Sequence, residues 1–420
     1  MNNRYFRLFE ECYLIEGKKG SAIYNLLTGD IFPIERKEAE LLSALENNQS
    51  LDPSVLNSLG DGNKADNLLK LLEEKQLGSY YCRPVHVEKV TKEANWADKL
   101  FFRMPPQLHR AFIEIETKCL NNCKYCGSDS VIRRLSCMGC NKWDTASGIM
   151  PIYKVFQVLE QLKELDCKKL YFTGGDIFLD WGRTKEILSK AARLGFKDIS
   201  VIWGGHSLPS KIIEFLATLN VTILIQKYIG PGTNSVIESN PFYEGLVTNH
   251  TGLRYAFLLV SEYRNNKLVE QSVPQLSKIL KPEYILIDFI LDEQEPLAHK
   301  YMLEVNRIPR TSVDDFAIRR KYHPCLGGTL SITADGSVLP CPGLREYKLG
   351  TSSEILNIFE RGDTDKYWRL TKDKVDGCSQ CQYRYACNDC RYLEQRLCSN
   401  LFGMGSCESA LELAATEGAS

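Results

Sequence analysis

Six short apolar segments, separated by stretches with the apolar spacing of helices, dominate the middle of the chain. Strands that alternate with helices pair in parallel, with right-handed crossovers between them. The pattern therefore predicts an α/β fold, and six units are too few for a closed eight-stranded barrel. We expect an open, partial (β/α)6 TIM-like barrel whose strands are 111–117, 168–174, 198–204, 221–227, 254–260 and 284–290.

The chain has 420 residues, which is enough for two or three domains. Residues 1–90 contain short apolar runs broken by turn residues and then segments with helical spacing, which suggests a winged-helix domain. We expect a linker at 91–109 and the barrel at 110–317. Glycines, turns and cysteines dominate 318–420, so bound metal should supply much of the folding free energy there.

Composition excludes several classes of protein. The formal net charge is -1, so no basic field points to nucleic acid. The first twenty residues include Glu10 and Glu11 and lack the apolar core of a signal peptide. The longest apolar run, 255–260, is too short to cross a bilayer. We therefore predict a cytoplasmic protein that binds neither nucleic acid nor membrane.

The chain contains sixteen cysteines, and they are unevenly distributed. Three lie within 119–126 and eight lie between Cys325 and Cys407. In a reducing compartment such clustering indicates metal or catalytic sites rather than disulfides. Thiolates are soft ligands that favour iron–sulfur clusters or zinc. Packing is the expected role of Cys12, Cys82 and Cys167.

The first cysteine set follows the first predicted strand directly. Cys119, Cys123 and Cys126 are spaced Cys-x3-Cys-x2-Cys. Three thiolates on a four-iron cluster leave one iron open for another molecule. The tripeptide at 174–176, Gly-Gly-Asp, ends the second predicted strand. Because ligands bind at the carboxyl ends of parallel strands, both loops should face the same site.

This combination resembles the radical S-adenosylmethionine (radical SAM) enzymes. The resemblance implies that the three cysteines hold a [4Fe-4S] cluster, that its open iron binds S-adenosylmethionine, and that the cofactor yields a 5′-deoxyadenosyl radical. Tyr125 matches the aromatic residue that usually precedes the third cysteine. Gly174, Gly175 and Asp176 match a Gly-Gly-Glu motif that contacts the cofactor, with a carboxylate one methylene shorter. Ser207 and Gln226 are further candidates for cofactor contacts.

The C-terminal cysteines resemble the SPASM domain, a twin-cluster extension of radical SAM enzymes. The resemblance rests on Gly336-x4-Cys341 and on Cys378-x2-Cys381-x5-Cys387. It implies two auxiliary [4Fe-4S] clusters, which makes three in all. The distal cluster would take Cys378, Cys381, Cys387 and Cys407. The nearer cluster would take Cys325, Cys341, Cys390 and Cys398.

Two alternatives stay open for these cysteines. The next spacing, Cys387-x2-Cys390, is one residue shorter than in the family, so Cys398 and Cys407 are exchangeable in the assignment. Two structural zinc ions in four-cysteine sites would use the same eight thiols. The pair Cys137-x2-Cys140 lies outside the family pattern, and half a zinc site, a redox pair, a substrate contact or two free thiols are all consistent with it.

SPASM-type enzymes mostly modify peptides, and the N-terminal unit resembles the recognition element that pairs with the leader of a ribosomally made precursor peptide. The resemblance implies a peptide maturase that installs a radical-derived crosslink, with a thioether as the first expectation. A carbon–carbon crosslink, epimerisation, backbone excision or formylglycine formation in sulfatases would use the same motifs. The non-enzyme alternative is a zinc-stabilised peptide-binding protein.

The resemblance also implies partners. We expect a one-electron reductant of the flavodoxin or ferredoxin type, and the stretch CQYRYACNDCR suggests an ATP-grasp ligase in the same gene system. No residue stands out as a hydrogen donor to the substrate.

Overall fold

The computed structural model describes fourteen ranges and single positions of the chain. No helix among them is both long and apolar enough to cross a membrane. Most of the predicted linker, 91–107, lies outside the described residues. The described residues are 4–56, 62–90, 108–121, 123, 125–126, 132–141, 143, 148–205, 207–231, 242–243, 246, 252–291, 310–388 and 390–407.

The N-terminal unit has strands and then helices, as predicted, and a further strand follows the helices. Its helices bury apolar residues at spacings of three and four, as Ala65, Leu68, Leu69 and Leu72 do in the third helix. Strands β1 and β5 pair antiparallel, and β2, β3 and β4 form a separate antiparallel sheet. The elements are β1 (Tyr5–Leu8), β2 (Cys12–Glu16), β3 (Ser21–Asn25), β4 (Ile31–Ile34), α1 (Arg36–Glu46), α2 (Pro53–Leu56), α3 (Gly62–Glu74) and β5 (Gly78–Tyr81).

A ten-stranded sheet forms the centre of the molecule. Seven of its strands run parallel to their neighbours, and six of these begin and end within two residues of a strand predicted from the sequence. The predicted α/β fold with a mostly parallel sheet is therefore confirmed. The strands are β6 (Arg110–Glu116), β7 (Ile132–Arg133), β8 (Lys169–Gly174), β9 (Asp198–Trp203), β10 (Thr222–Ile229), β11 (Arg254–Glu262), β12 (Ile285–Leu291), β13 (Thr329–Ile332), β14 (Ser337–Leu339) and β15 (Gly350–Thr351).

The sheet order is β15-β14-β13-β6-β8-β9-β10-β11-β12-β7, so strands from beyond residue 317 extend the sheet next to β6. Within the described residues, the edge strands β15 and β7 do not pair with each other. The helices that follow α3 are α4 (Ile152–Glu164), α5 (Trp181–Arg193), α6 (Ser210–Thr218), α7 (Asn266–Ile279), α8 (Val313–Lys321), α9 (Ile355–Glu360), α10 (Asp365–Trp368) and α11 (Arg391–Cys398).

The two faces of the central sheet have different surroundings. One face packs against helices, because residues such as Ile113, Phe172 and Ile223 join a large apolar cluster with Leu159 of α4 and Leu188 of α5. Alternate residues along the same strands form a second apolar cluster on the other face, which we call the inner face. Its buried members include Phe112, Tyr171, Ile202, Leu224 and Leu258.

The inner face also carries buried charges. Glu114 of β6 forms a bidentate ion pair with Arg345, with N–O distances of 2.8 and 3.2 Å. Arg345 belongs to the loop between β14 and β15, so this pair ties the cysteine-rich region to the sheet. Asp288 of β12 lies 3.6 Å from Arg133 of β7, and both side chains are 1% exposed. Charged groups are rarely buried unless they are paired, and both pairs follow this rule.

The β2–β3 hairpin of the N-terminal unit packs against the loop that carries Cys378, Cys381 and Cys387. The Lys18 N–H donates to the Gln380 carbonyl at 2.9 Å, and the Tyr24 hydroxyl donates to the Gln382 carbonyl at 2.8 Å. A Cβ at Gly17 would lie 2.8 Å from the Gln382 nitrogen, so glycine permits this close approach. The N-terminal unit thus lies directly beside one of the cysteine sets.

We expect His109 to make the stability of the protein depend on pH. Burial lowers the pKa of His109 to about 4, with Arg110 and Lys169 contributing. The unfolded histidine takes up its proton near its ordinary value, so its contribution to stability is full above that value and is lost as the pH falls towards 4. Because the ring is only partly shielded, we expect a loss of about 1–2 kcal/mol.

Urea denaturation at pH 7 and at pH 4.5 checks this expectation. His109→Gln should lose less stability than the unsubstituted protein between the two pH values, because glutamine does not titrate. Equal losses in the two proteins would show that His109 does not contribute.

Candidate active site

The loop with Cys119, Cys123 and Cys126 is held against the end of β8 by backbone hydrogen bonds. The Gly175 N–H donates to the Glu116 carbonyl and the Asp176 N–H donates to the Lys118 carbonyl, both at 2.8 Å. The Cys126 N–H donates to the Cys123 carbonyl at 3.1 Å, which closes a turn inside the loop. The structure therefore brings together the two strand ends that the sequence singled out.

Two glycines make this contact between the strand ends possible. Gly174 has a φ of +119°, a conformation that residues with a Cβ rarely adopt, and a Cβ there would overlap the Glu116 carbonyl oxygen. A Cβ at Gly175 would overlap the Lys118 carbonyl oxygen and lie 2.6 Å from its carbon. Larger residues would force the cysteine loop away from β8.

We expect Gly175→Ala to destabilise the protein by more than about 2 kcal/mol, because neither backbone can yield without breaking the paired hydrogen bonds. The matched control is Gly182→Ala in the first turn of α5, where the nearest atom to an added Cβ is 3.7 Å away. The control should be neutral or should stabilise by about 0.5–1 kcal/mol. Urea denaturation measures both, and equal effects would contradict the close contact.

A fourth thiol lies next to this loop. Cys140 is buried, and its Sγ lies 3.4 Å from the Gly175 carbonyl oxygen and 3.7 Å from the Gly174 carbonyl oxygen. Burial raises the pKa of Cys140 well above its ordinary value, and the thiolates of Cys126, Cys119 and Cys123 raise it further. The sequence left several roles open for Cys140, and the structure places it among the three cysteines.

Aromatic rings cover the inner side of the cysteine loop. Tyr125 stacks on Tyr228 with 5.7 Å between ring centroids, and the Arg133 guanidinium lies 5.4 Å from the Tyr125 centroid. Gln226 is buried on the inner face, where its side-chain nitrogen donates to the Cys140 carbonyl at 3.4 Å. The sequence-predicted residues Tyr125 and Gln226 thus lie close to the cysteines.

Glu116, the last residue of β6, adds a buried carboxyl group. Its side chain is 2% exposed, and Oε1 has no hydrogen-bond partner among the described residues. Burial raises the pKa of Glu116, which the positive charge of Arg183 partly offsets. A buried polar atom without a partner is unusual, and a bound group is one way to satisfy it.

Asp176 and Ser207 face a different space. They line a cavity of about 310 Å³ between the ends of β8 and β9 and the helices α5 and α6, with Trp181 and Trp203 as its aromatic walls. The Phe178 N–H donates to Asp176 Oδ1 at 3.1 Å, and burial raises the pKa of Asp176. Ser207 is exposed. Asp176 and Ser207 thus line this cavity, whereas Gln226 lies on the inner face and contacts Cys140.

Three comparisons with known proteins bear on this site. No protein-family model matches the chain. The chain is similar to the radical SAM cyclopropyl synthase TigE of Paramaledivibacter caminithermalis, with 23% identity over 314 aligned residues that cover 66% of each chain. The match spans just under two thirds of the length of that relative.

Two solved structures share the fold of this chain. One is polyhistidine-tagged anSMEcpe with bound AdoMet, with 15% identity and a TM-score of 0.51. The other is native anSMEcpe with bound AdoMet and Kp18Cys peptide, with 14% identity and a TM-score of 0.52. Each match covers 74% of this chain and 97% of the solved chain. At these identities the likeness concerns the fold.

The C-terminal cysteines of the chain fall into two groups. Burial raises the pKa of Cys381, and the thiolates of Cys387 and Cys407 raise it further. Cys378 packs with Met404, and Cys407 packs against the same cluster. The first group is therefore Cys378, Cys381, Cys387 and Cys407.

The second group has Cys341 at its centre. Burial raises the pKa of Cys341, and the thiolates of Cys325 and Cys390 raise it further. Cys398 lies apart, at the end of α11, where its Sγ donates to the Glu394 carbonyl at 3.0 Å. The structure thus brings together three of the four thiols that the resemblance assigned to the nearer cluster.

The donor chemistry of all three groups fits iron–sulfur clusters, because soft thiolates in threes and fours are the ligands such clusters take. Within the described ranges, no three cysteine, histidine or acidic side chains converge closely enough to hold one metal ion. A four-iron cluster tolerates wider spacing than a single ion, since each thiolate binds a different iron. The close contact of Gly174 and Gly175 with the start of the cysteine loop adds to this fit, because it holds the loop at the end of β8.

Sequence reasoning missed several buried charged residues near the site. Asp288 stands inside an otherwise apolar strand, which was a visible signal that a positive partner lies opposite. Its partner Arg133 lies in a segment that was not predicted to join the sheet, so the sequence gave no sign that Arg133 is buried. Glu116 was read as part of a strand, and only the structure shows that its carboxyl group is buried at the site.

Proposed function

We propose that the chain is a radical SAM enzyme that modifies a peptide. One observation carries the proposal: the Cys-x3-Cys-x2-Cys loop ends a parallel strand and is fastened to Gly174 and Gly175 at the end of the next. Three thiols there can hold a cluster with one open iron. The fold shared with AdoMet-bound structures and the 23% identity to a radical SAM cyclopropyl synthase support the same activity.

Cys119, Cys123 and Cys126 would hold the first cluster. With S-adenosylmethionine bound, this group supplies one-electron cleavage of the sulfonium and a carbon radical that removes a substrate hydrogen atom. The chain's own residues orient the loop and exclude water. Gly174 and Gly175 fix the distance between the strand ends, and the stacked rings of Tyr125 and Tyr228 shield the thiols from the inner side. Asp176, Ser207 and Gln226 remain our candidates for cofactor contacts.

We further propose that the sheet is the partial barrel predicted from the sequence and that the C-terminal region is a SPASM domain with two auxiliary [4Fe-4S] clusters. The grouping of Cys378, Cys381, Cys387 and Cys407 supports the distal cluster. The grouping of Cys325, Cys341 and Cys390 supports the nearer one. The chain would then bind three clusters, which makes about twelve iron atoms.

The substrate that we propose is a ribosomally made precursor peptide, bound through its leader. One similar solved structure contains a bound peptide. The N-terminal unit would bind the leader by strand pairing, as a winged-helix recognition domain does. Its β2–β3 hairpin packs against the loop of the distal cysteines, so a leader bound there would hold the peptide near the auxiliary clusters.

The first product to test for is a thioether. In that reaction a C–H bond and an S–H bond of the peptide break and one C–S bond forms. One hydrogen atom would leave with the cofactor fragment, and one proton and one electron would leave separately. The C-terminal cysteine groups would hold clusters that can accept this electron. A carbon–carbon bond is the second product to test for, because the curated relative is a cyclopropyl synthase. The reductant would be of the flavodoxin or ferredoxin type, and an ATP-grasp ligase would act on the same peptide.

The test uses full-length, anaerobically reconstituted protein with dithionite, S-adenosylmethionine and a short precursor peptide encoded next to the gene. We expect 5′-deoxyadenosine and a peptide that has lost two hydrogens in its mass spectrum. Alkylation of the product separates the two crosslinks, since a thioether consumes a thiol and a carbon–carbon bond does not. An unchanged mass with 5′-deoxyadenosine formed would indicate epimerisation.

Two outcomes would overturn the proposal. Protein that binds zinc and no iron would be a peptide-binding protein without this chemistry. A variant without residues 1–90 that still modifies its substrate at the full rate would exclude dependence on a leader and would favour sulfatase maturation.

A further inference from the structure

The segment 132–141 connects two of the thiol groups. At its beginning, Ile132 packs against Leu393 of α11, and the Arg134 carbonyl oxygen lies 3.7 Å from Cys390 Sγ. At its end, Cys140 lies beside Gly175 and the first cysteine set, as described above. A single 3-10 turn, Ser136–Met138, carries Cys137 between these two ends.

Cys137 faces the nearer C-terminal group. The Arg110 guanidinium donates to the Cys325 carbonyl at 2.6 Å and lies 3.7 Å from Cys325 Sγ. Burial raises the pKa of Cys137, and the thiolates of Cys325 and Cys341 raise it further. The positive charge of the Arg110 guanidinium lowers it. The turn that carries Cys137 begins two residues after Arg134, whose carbonyl oxygen lies 3.7 Å from Cys390 Sγ, so this turn lies next to the nearer C-terminal group.

Cys390 belongs to the same group. It is the N-cap of α11. Burial raises the pKa of Cys341 most, and the thiolates of Cys325 and then Cys390 raise it further. The turn after Cys341 touches the first turn of α11, because a Cβ on Gly343 would lie 2.5 Å from the Tyr392 ring. Contacts from both sides thus bring Cys341 and Cys390 together.

Cys398 lies at the opposite end of α11 from Cys390. Eight residues of helix separate the two along the axis by about 12 Å. The Cys398 thiol donates to the Glu394 carbonyl at 3.0 Å and lies 3.6 Å from the Asn400 carbonyl oxygen. Cys398 is held by its own helix end, while Cys137 lies three residues after the Arg134 carbonyl that contacts Cys390.

We propose that Cys137, and not Cys398, is the fourth thiolate ligand of the nearer auxiliary cluster, together with Cys325, Cys341 and Cys390. The inference rests on the proposed function in that it requires auxiliary clusters in the C-terminal region. It gives Cys137 and Cys140 different positions. Cys137 would complete the nearer auxiliary cluster, while Cys140 lies beside the first cysteine set. The backbone of segment 132–141 would then run from the nearer auxiliary cluster to the first cysteine set.

The test is made in full-length protein with Cys119→Ala, Cys123→Ala and Cys126→Ala, so that only auxiliary clusters remain. Anaerobic reconstitution with iron and sulfide should give about eight iron atoms per chain. Adding Cys137→Ala should remove up to about four of them or, if iron is retained, change the EPR spectrum of one reduced cluster. Adding Cys398→Ala, the matched control, should change neither the iron content nor the spectrum.

Unchanged iron and EPR in Cys137→Ala would overturn the inference, as would an effect of Cys398→Ala equal to that of Cys325→Ala. If Cys137→Ala does not fold by circular dichroism, Cys137→Asp decides, because a carboxylate ligand should retain iron with an altered spectrum. An unaltered spectrum in that variant would also overturn it. Absence of iron from the background protein would contradict the auxiliary clusters themselves, which separates failure of the proposed function from failure of this assignment.

Discussion

Cys123→Ser should abolish reductive cleavage of S-adenosylmethionine, lowering 5′-deoxyadenosine to the level of a reaction without enzyme. The variant removes one of only three thiolates in the loop after β6, and a cluster with two protein ligands is not expected to persist there. Iron should fall by about four atoms per chain, because the two C-terminal groups keep their ligands. Chromatographic measurement of 5′-deoxyadenosine and iron analysis of anaerobic protein give the two readouts.

Cys82→Ser is the matched control for this prediction. Cys82 is exposed and lies in the N-terminal unit, far along the chain from the three cysteine groups. The control should retain both iron and 5′-deoxyadenosine formation. If Cys123→Ser also retains both, the loop after β6 does not hold a cluster, and the proposed activity falls with it.

Asp288→Ala should destabilise the protein by about 3–5 kcal/mol, the largest effect that we expect outside the metal sites. Asp288 and Arg133 are both 1% exposed, with 3.6 Å between Oδ2 and Nη1. Asp288 Oδ1 also accepts the Leu135 N–H at 3.0 Å, which fixes the turn that leads to Cys137. Without the carboxylate, the Arg133 guanidinium stays buried and its charge loses this partner.

A double-mutant cycle tests the pairing. Arg133→Met combined with Asp288→Leu should recover much of the lost stability, because two apolar side chains leave no uncompensated charge. Arg361→Met removes the partner of Asp363, where the side chains are 49% and 35% exposed, and should change stability by less than about 0.5 kcal/mol. Urea denaturation of anaerobic protein gives these values. Additive effects at Asp288 and Arg133 would show that the two do not interact.

The sequence predicted the elements of the sheet well, because each signal is local. An apolar run of six or seven residues next to a helical spacing specifies its own structure, and six of the seven parallel strands lie within two residues of the predicted bounds, whereas β13 was not predicted. The proximity of Cys119 to Gly174 was also within reach, since parallel strands end at one edge. The cavity that Asp176 and Ser207 line with Trp181 and Trp203 was not, because it depends on how α5 and α6 pack against the strand ends.

The clustering of three and eight cysteines by itself predicted metal chemistry, because a reducing compartment leaves such thiols few other roles. The alternation of strands and helices predicted the parallel order of strands that places the first set at one edge of the sheet. Only the tertiary structure decided which distant segments meet. Arg134 and Cys390 are far apart along the chain, and their contact follows from β7 pairing with β12 and from α11 packing on Ile132. Such contacts depend on the packing of whole elements, and no local pattern in the sequence records them.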